Sequence, residues 1–408
     1  MAGSRFVIVG GGLAGAKTAE ALREQGYAGS IVLVAAEDHL PYERPPLSKE
    51  YLAGKADRES VDVHDRQWYD DHDVELRLGV PATRIDREAH EVQLEDGNRI
   101  GYDQLMLATG SRARRIDLPG SDAEGVLYLR DVEDSDRIAE ALGSAGRMVV
   151  IGAGWIGLEV TADARERGVE VDVVEVAPLP LLRVLGPEMA GMFAELHREH
   201  GVTFHFETGV KELRTEDGRV TGVTLDDGST LDADVVLVGV GAQANVEIAR
   251  EAGLDVDNGV LVDELLRTSD PDIYATGDIA AEAHPTYGRV RVEHWANALN
   301  QPGAAARTIT GTDTPYRTEP FFYTDQYDLG MEYRGYVPAG ATPTVVVRGD
   351  RDARELIAFW LSPEGRVLAA MNVNVWDAED QIKALLAAGP VDADRLADPQ
   401  VPLEDLAG

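Results

Sequence analysis

Short apolar runs alternate with longer amphipathic stretches through the first part of the chain, and this alternation predicts repeated strand–helix–strand units. Phe6–Val9 and Ile31–Val34 have the length of buried strands, and Ala14–Gln25 between them has the period of a helix. The same order returns later in Met148–Ile151, Ile156–Arg167 and Val171–Val174. Because such units build parallel sheets, the pattern predicts an α/β fold with two Rossmann-like dinucleotide-binding domains.

The pattern changes from Phe321 onward to strands rich in aromatic residues, followed by a helix at Ala378–Ala388. This change predicts a small C-terminal α+β domain, and we expect the acidic, proline-containing tail after Pro390 to be loosely held. The expected boundaries are residues 1–115 and 246–320 for the first nucleotide domain, 116–245 for the second and 321–408 for the third.

A glycine-rich turn joins the first predicted strand to the first predicted helix. Its sequence is Gly10-Gly11-Gly12-Leu13-Ala14-Gly15. In a dinucleotide-binding turn of this spacing, Gly10 makes the tight turn, Gly12 admits the pyrophosphate and Gly15 lets helix and strand pack closely. The helix N-terminus then faces the phosphates, and Glu37 after the next strand is placed for a ribose hydroxyl. An ordinary glycine turn is the alternative, but this order of strand, turn, helix and carboxylate favours dinucleotide binding.

A second glycine-rich turn follows Met148–Ile151. Its sequence is Gly152-Ala153-Gly154-Trp155-Ile156-Gly157, and Glu175 lies at the end of the next predicted strand. Two dinucleotides in one chain indicate a resident flavin nucleotide and an exchanging nicotinamide, because a hydride needs a donor and an acceptor.

Composition excludes several kinds of site and partner. The 408 residues include no cysteine, which rules out disulfide chemistry and cluster ligation by this chain. The net charge of −35 disfavours nucleic acid and anionic lipid, and no run is apolar enough to span a membrane, so we expect a cytoplasmic protein. His197, His200 and His205 lack the partners of a metal site, and we expect them on a solvated helix face.

Four further motifs occur in order around the two glycine turns. They are Arg44-Pro45-Pro46-Leu47-Ser48-Lys49, Ala108-Thr109-Gly110, Thr276-Gly277-Asp278 and Glu293-His294-Trp295. With the glycine turns, they resemble the putidaredoxin reductase and dioxygenase ferredoxin reductase family over essentially the whole chain. The resemblance implies a glutathione-reductase-like arrangement that holds FAD in the first domain and NADH in the second. It also implies electron transfer to a small two-iron two-sulfur ferredoxin, which in turn serves a monooxygenase or dioxygenase.

The resemblance also implies roles for single residues around FAD. Arg44 would contact the FAD phosphates or ribose, Lys49 would lie near flavin N5, and Trp295 would border the flavin on the side of the electron acceptor. Asp278 is suited to accept a hydrogen bond from a ribitol hydroxyl, although a helix N-cap is the alternative. The remaining FAD contacts that the resemblance implies are Leu13, Ala14, Ala108, Thr109, Gly110, Glu293 and His294.

On the nicotinamide side, the resemblance places Glu159 next to the nicotinamide and the flavin, so Lys49, Glu159 and Trp295 are the expected catalytic residues. Glu175 would bind the adenosine ribose of NADH and repel the 2′-phosphate of NADPH. Arg183 becomes the candidate phosphate ligand if NADPH is preferred. The second turn contributes Gly152, Gly154, Trp155, Ile156 and Gly157.

Simpler interpretations remain open for these residues. Lys49 could be a solvated lysine in the first turn of a helix starting at Ser48, Glu159 a surface glutamate, and Trp295 a core residue. The same framework can also reduce rubredoxin, monodehydroascorbate or quinones. A protein similar to apoptosis-inducing factor would instead use FAD and NADH to change its conformation. Near the expected electron exit, Arg289, Arg291 and Arg307 could form a docking patch for an acidic ferredoxin, with Arg317 and Arg334 as possible additions from the third domain. Solvated charges paired with neighbouring carboxylates are the alternative for these arginines.

Overall fold

In the computed structural model, which describes residues 3–407, the chain forms two compact units. The first consists of residues 3–45, Asp57–Arg112 and Gln243–Phe321. The second consists of Pro46–Ala56, Ala113–Ala242 and residues 322–407. The three domain boundaries expected from the sequence stay a prediction.

The strands are numbered along the chain. They are β1 (Arg5–Val9), β2 (Ser30–Val34), β3 (Val74–Arg77), β4 (Ala82–Asp86), β5 (Glu91–Leu94), β6 (Arg99–Gly101), β7 (Gln104–Leu107), β8 (Ser111–Ala113), β9 (Val126–Leu127), β10 (Arg147–Ile151), β11 (Glu170–Glu175), β12 (Thr203–Phe206), β13 (Val210–Glu216), β14 (Arg219–Leu225), β15 (Thr230–Asp232), β16 (Val235–Val238), β17 (Ala242–Ala244), β18 (Val260–Val262), β19 (Ile273–Ala275), β20 (Ala280–His284), β21 (Gly288–Val290), β22 (Phe321–Gln326), β23 (Leu329–Gly335), β24 (Thr344–Asp350), β25 (Glu355–Leu361) and β26 (Val367–Val373).

The helices are numbered in the same way. They are α1 (Leu13–Glu24), α2 (Arg66–Asp71), α3 (Val132–Leu142), α4 (Trp155–Glu166), α5 (Leu182–Glu199), α6 (Glu247–Glu251), α7 (Trp295–Ile309), α8 (Glu379–Ala387) and α9 (Ala393–Ala397). Short 3-10 turns occur at Pro45–Ser48, Arg58–Val61, Gly277–Ile279 and Leu403–Leu406. Within residues 3–407, none of the helices combines the length and the apolar composition needed to cross a bilayer.

The first unit is organised by a parallel five-stranded sheet in the order β19-β7-β1-β2-β3. Val7 in the central strand is paired with Leu105 on one side and Val32 on the other, and all three are buried. Both faces of β1 are covered, as expected for a strand that reads as a continuous apolar run. The predicted strands and the helix at Ala14–Gln25 are confirmed to within one residue at each end.

The second unit contains another parallel sheet, in the order β12-β11-β10-β16-β9. Val149 of β10 is paired with Asp172 of β11 and Val236 of β16. As in the first unit, the central strand lies between the next strand of its strand–helix–strand unit and a strand from later in the chain. Each unit also carries an antiparallel three-stranded sheet, β4-β5-β6 in the first and β13-β14-β15 in the second. The predicted strand–helix–strand repeat and the α/β class are confirmed.

The C-terminal part of the second unit is an antiparallel sheet in the order β22-β23-β26-β25-β24, with α8 and α9 beside it. The expectation of a loosely held tail is wrong. Leu396 is fully buried, and the Arg348 guanidinium donates to the carbonyl oxygens of Leu396, Asp398 and Val401 at distances of 2.6 to 3.4 Å. Apolar side chains and one arginine thus hold this acidic segment against the C-terminal sheet.

Two candidate dinucleotide sites and a buried ion pair

The first glycine turn lies between β1 and α1, and its glycines differ in the space around them. Gly10 has φ +130°, and a Cβ there would lie 2.0 Å from the Ala108 carbonyl oxygen. A Cβ on Gly15 would lie 2.0 Å from the Gly10 carbonyl oxygen, whereas a Cβ on Gly12 would meet nothing within 4 Å. Gly10 and Gly15 are therefore required by the turn itself, and Gly12 faces open space that a phosphate can enter.

The helix that follows this turn presents an N-terminus suited to an anion. Gly12 is the N-cap of α1, no side chain caps the helix, and no acidic residue lies in its first turn. The N-cap residue therefore offers no side-chain acceptor to the first backbone N–H groups of α1, and the helix dipole favours negative charge there. These features fit the pyrophosphate of a dinucleotide.

Glu37 and Arg44, both expected at the first dinucleotide, contact each other. Arg44 Nη2 lies 2.7 Å from Glu37 Oε1, and the Tyr42 hydroxyl donates to Glu37 Oε2. The Arg44 guanidinium also lies over the Tyr42 ring, 5.2 Å from its centroid. The ion pair fixes the Glu37 carboxylate beyond the end of β2, where a ribose is expected.

Two loops at the carboxyl ends of β7 and β19 also reach the glycine turn. The Thr109 hydroxyl and carbonyl oxygen exchange hydrogen bonds of 2.8 Å with Asn245, which fixes the Ala108–Gly110 loop. Asp278 lies in the 3-10 turn Gly277–Ile279 and accepts a hydrogen bond of 2.7 Å from Ser111. Because β19, β7 and β1 are neighbours in the sheet, the expected FAD residues on these loops gather at one edge.

A buried polar group that the sequence analysis missed supports the Asp278 turn. Gln301 Oε1 accepts a hydrogen bond of 2.7 Å from the Gly277 N–H, and Gln301 Nε2 donates to Glu282 Oε2 at 3.0 Å. Glu282 is 3% exposed, and its burial raises the pKa of this carboxyl to about 7. The turn that precedes Asp278 is thus fixed from within the protein core.

The Glu293-His294-Trp295 motif leads into α7, whose N-cap is His294. The Trp295 indole N–H donates to Glu43 at 3.0 Å, so the tryptophan is oriented by a carboxylate. Arg291 donates to Glu293 at 2.8 Å and to the Asp278 carbonyl oxygen at 3.0 Å, and its side chain is only 11% exposed. The interpretation of Arg291 as an exposed docking charge is therefore wrong.

The second glycine turn repeats the geometry of the first. Gly152 has φ +99°, and a Cβ there would lie 2.5 Å from the Gly239 carbonyl oxygen. A Cβ on Gly157 would lie 2.6 Å from the Gly152 carbonyl oxygen, but at Gly154 the nearest atom would be 3.9 Å away. Gly154 is the N-cap of α4, again without a side-chain cap or an acidic residue in the first turn. This site too fits a pyrophosphate.

Glu175 lies against the second turn. Its Oε2 accepts the Ala153 N–H at 2.8 Å and its Oε1 accepts the Ala177 N–H at 2.9 Å. Arg183 is exposed in the first turn of α5, and within residues 3–407 it has no ion-pair partner. The ring of Trp155 packs on Phe193 with a centroid distance of 5.5 Å, while Ile156 is 44% exposed.

Lys49 and Glu159 form a buried ion pair in the second unit. Lys49 Nζ lies 2.7 Å from Glu159 Oε1, and the two side chains are 11% and 5% exposed. Lys49 follows the 3-10 turn Pro45–Ser48. Because both side chains are buried, the interpretations of Lys49 as a solvated helix lysine and of Glu159 as a surface glutamate are wrong. Removing two charges from water is costly. An ion pair this deeply buried is therefore weak evidence for a contribution to the stability of the fold.

Two further donors to Glu159 were missed by the sequence analysis. Ser48 donates to Glu159 Oε2 at 2.5 Å, and Thr324 donates to Oε1 at 2.6 Å. A signal for Thr324 exists in the sequence, because Thr324 and Gln326 alternate within a strand that is otherwise aromatic at its start. Polar residues two apart point to the same face of a strand, and here both are buried.

The three histidines considered above do not share a solvated helix face, so that expectation is wrong. His197 lies on α5 and is fully buried, and His205 lies on β12, 2.7 Å from Asp172. In the described part of the chain, no group of three or more histidines or carboxylates is arranged to hold a metal ion.

Comparison with known proteins agrees with this geometry. The model of the family described as pyridine nucleotide-disulphide oxidoreductase matches residues 4–302, and the model described as reductase C-terminal matches residues 321–407. The chain therefore belongs to the pyridine nucleotide-disulphide oxidoreductase family and carries a domain of the type described as reductase C-terminal. The match to the first family extends over both glycine turns.

The individual relatives are named as reductases, either of a ferredoxin or of a protein such as rhodocoxin or putidaredoxin. The chain is 46% identical to a rhodocoxin reductase of Rhodococcus erythropolis, over 85% of this chain and 81% of the relative. It is 42% identical to the ferredoxin–NAD(+) reductase component of an anthranilate 1,2-dioxygenase system of Burkholderia cepacia, over 99% of each chain. It also resembles the solved structure of a covalent putidaredoxin reductase–putidaredoxin complex, with a TM-score of 0.95, 37% identity and coverage of 99% and 98%. The resemblance and the fold class inferred from the sequence are confirmed.

Proposed function

We propose that this chain binds FAD at the first glycine turn and NADH at the second, and passes electrons from NADH to a small iron–sulfur ferredoxin that serves an oxygenase. The observation that carries this proposal is the repetition of one dinucleotide geometry in each unit. In both turns the central glycine is the N-cap of the following helix, and an added Cβ there would meet no atom closer than 3.9 Å. The prediction of a NAD-linked ferredoxin reductase agrees with the names of the relatives.

The residues of the first unit would hold FAD. The N-terminus of α1 would bind the pyrophosphate, the Glu37–Arg44 pair would meet the adenosine ribose and phosphates, and Asp278 would accept a hydrogen bond from the ribitol. Trp295 is held by Glu43 and would border the isoalloxazine ring. When bound, FAD supplies the ability to take up a pair of electrons and release them singly.

The residues of the second unit would hold NADH. The N-terminus of α4 would bind its pyrophosphate, and Glu175 would accept hydrogen bonds from the adenosine ribose while repelling a 2′-phosphate. Lys49 and Glu159 form a fixed pair of opposite charges in the second unit. Their role would be to orient the nicotinamide and stabilise charge that develops during hydride transfer.

The absence of cysteine limits how electrons leave the protein. The family name includes disulphide chemistry, but this sequence contains no cysteine. Electrons from NADH therefore cannot pass to a substrate through a protein disulfide, as they would in a disulphide reductase. A one-electron acceptor that reacts with the bound cofactor itself fits the chain, and a ferredoxin is such an acceptor.

The test is a reconstituted assay. We expect the purified chain to release non-covalent FAD on heating, as identified by chromatography, and to reduce a [2Fe–2S] ferredoxin with NADH, measured through cytochrome c. NADH oxidation with a neutral dye is the control for the first half-reaction.

A protein that carries only FMN contradicts the proposed FAD site. A protein that reduces the dye but none of several oxygenase ferredoxins contradicts the proposed acceptor. In that case, a long-lived charge-transfer complex with dimerisation on NADH addition would favour the conformational role instead.

A further inference from the structure

Glu159 accepts more hydrogen bonds than its ion pair with Lys49 requires. Its Oε1 accepts from both Lys49 and Thr324, at 2.7 and 2.6 Å. Its Oε2 accepts from Ser48 at 2.5 Å. Both oxygens of the carboxylate are therefore fixed in direction, by donors from two segments that are distant in the sequence.

The Thr324 hydroxyl is the last member of a longer buried series of hydrogen bonds within the second unit. Gln326 Nε2 donates to Thr324 Oγ1 at 3.1 Å, and His197 Nε2 lies 2.8 Å from Gln326 Oε1. The Tyr327 hydroxyl lies 3.2 Å from His197 Nδ1. Thr324 and His197 are fully buried and Gln326 is 1% exposed, so these groups depend on one another for their hydrogen bonds.

The donors and acceptors in this series are consistent with one direction only. A carboxylate accepts but cannot donate, so Thr324 donates its single hydroxyl proton to Glu159 and accepts from the Gln326 amide nitrogen. The Gln326 carbonyl oxygen must then accept an N–H from His197 Nε2.

The histidine completes the same direction. Burial lowers the pKa of His197 to about 4, so its ring is neutral near pH 7 and carries one N–H. That N–H lies on Nε2, toward Gln326, and Nδ1 accepts from the Tyr327 hydroxyl. Every bond from Tyr327 to Glu159 therefore donates toward the carboxylate. Reversing the series would require Glu159 to carry a proton.

We propose that Thr324, Gln326 and His197 are positioning residues that hold the Glu159 carboxylate in a fixed orientation against Lys49. The inference rests on the proposed function, in which Glu159 and Lys49 assist hydride transfer from NADH. Hydrogen bonds aligned head to tail polarise one another, so each upstream member strengthens the final bond to the carboxylate. The C-terminal reductase segment, to which Thr324 and Gln326 belong, thus contributes directly to the orientation of an expected catalytic residue.

The kinetic test compares Thr324→Val, which removes the donor at nearly constant volume, with Thr324→Ser, which keeps it. In holoenzyme, we expect Thr324→Val to slow flavin reduction by NADH about tenfold, since a lost hydrogen bond to a charged group changes an equilibrium or rate by about that factor. Thr324→Ser should remain within about twofold of the wild type.

A matched control exists in another sheet of the same unit. The Thr224 hydroxyl donates to Glu212 at 3.0 Å between β13 and β14, so Thr224→Val also removes a threonine–glutamate hydrogen bond. We expect this variant to reduce its flavin at the wild-type rate. Equal slowing by Thr324→Val and Thr324→Ser would indicate a packing effect and overturn the positioning role.

A second readout needs neither a variant nor turnover. Nitrogen-15 NMR of the wild-type holoenzyme distinguishes the two neutral tautomers of His197, and the series requires the Nε2–H form. An Nδ1–H tautomer, or a ring that is charged near pH 7, would overturn the inference. This result is obtained even if Thr324→Val fails to fold.

The two proposals fail in different ways. A wild-type holoenzyme whose flavin is not reduced by NADH contradicts the proposed function. A wild type that is reduced rapidly, together with a Thr324→Val variant that is equally fast, contradicts only the positioning role.

Discussion

Glu282 is a single carboxyl whose protonation should set part of the pH dependence of stability. Its pKa is about 7 in the folded protein because it is buried, against 4.5 as the ordinary value. A folded-state pKa above the unfolded one means that the stabilising contribution is complete below about pH 4.5. It is lost as the pH rises through 7, and linkage gives roughly 3 kcal/mol for the whole change.

We therefore expect Glu282→Gln to be more stable than the wild type at pH 8. The amide stays neutral and keeps an oxygen that can accept from Gln301. The advantage should shrink as the pH falls toward 5, because the wild-type carboxyl then regains its proton. Melting temperatures across this range measure the effect, with the exposed Glu251→Gln as the control. A wild type that equals Glu282→Gln at both pH values would show that Glu282 is not a buried carboxyl with a raised pKa.

Glu175 should determine the choice of coenzyme through its charge and hold the second glycine turn through its oxygens. We expect the wild type to prefer NADH to NADPH by at least about tenfold in kcat/KM, or about 1.4 kcal/mol. Glu175→Gln removes the charge but can still accept the Ala153 N–H, so it should narrow the preference while leaving the KM for NADH nearly unchanged. Glu175→Ala loses both properties and should also raise that KM.

The measurement is steady-state kinetics with both coenzymes and a neutral acceptor. A wild type that prefers NADPH would contradict the assignment and make the exposed Arg183 the candidate ligand of the 2′-phosphate. Arg183→Ala would then be the decisive variant.

At the scale of the element, the glycine turn before α1 contains one glycine that is needed for folding and another that is needed for binding. A Cβ on Gly15 would lie 2.0 Å from a backbone oxygen, so Gly15→Ala must move backbone and should cost about 1–3 kcal/mol of stability. A Cβ on Gly12 meets nothing, so Gly12→Ala apoprotein should melt close to the wild type. Its methyl group would nevertheless occupy the space left for the pyrophosphate, and we expect its affinity for FAD to fall at least tenfold.

Thermal melting of the apoproteins and titration with FAD, followed by quenching of flavin fluorescence, separate the two effects. If Gly12→Ala binds FAD as well as the wild type does, the pyrophosphate does not lie at this turn. Gly154→Ala and Gly157→Ala provide the matched pair at the second turn, with NAD+ as the titrant.

Some of these elements could be predicted from the sequence, and the contacts between them could not. The strands, helices and glycine turns were predictable because their signals are local, such as the apolar run of β1 followed at once by Gly10. The donors to Glu159 were not predictable, since Ser48 and Thr324 are 111 and 165 residues away from it in the chain. Spacing and composition do not specify such contacts. The predictions of a loosely held tail and of a solvated His197 are wrong for a related reason. The burial of the tail and of His197 depends on partners such as Arg348 and Gln326.

At the scale of the whole molecule, charge and composition restrict partners without specifying them. The net charge of −35 repels an acidic ferredoxin at long range, but charges more than about 8 Å apart are largely screened at physiological ionic strength. Local groups therefore decide docking. Since Arg291 is bonded to Glu293 and to the backbone and its side chain is only 11% exposed, this arginine contributes less exposed charge at the expected electron exit than the sequence indicated.

The order of strands in the first sheet has a consequence for how the protein is made. β19 pairs with β7 in parallel, yet most of the second unit's residues lie between them in the chain. During translation, β7 therefore emerges from the ribosome long before its outer neighbour exists. At about 5–20 residues per second, its unpaired edge is open for many seconds, while the intervening segment can already fold. A ribosome that stalls in this interval leaves a nascent chain with a free apolar strand edge, which is the kind of surface that chaperones bind and that otherwise aggregates.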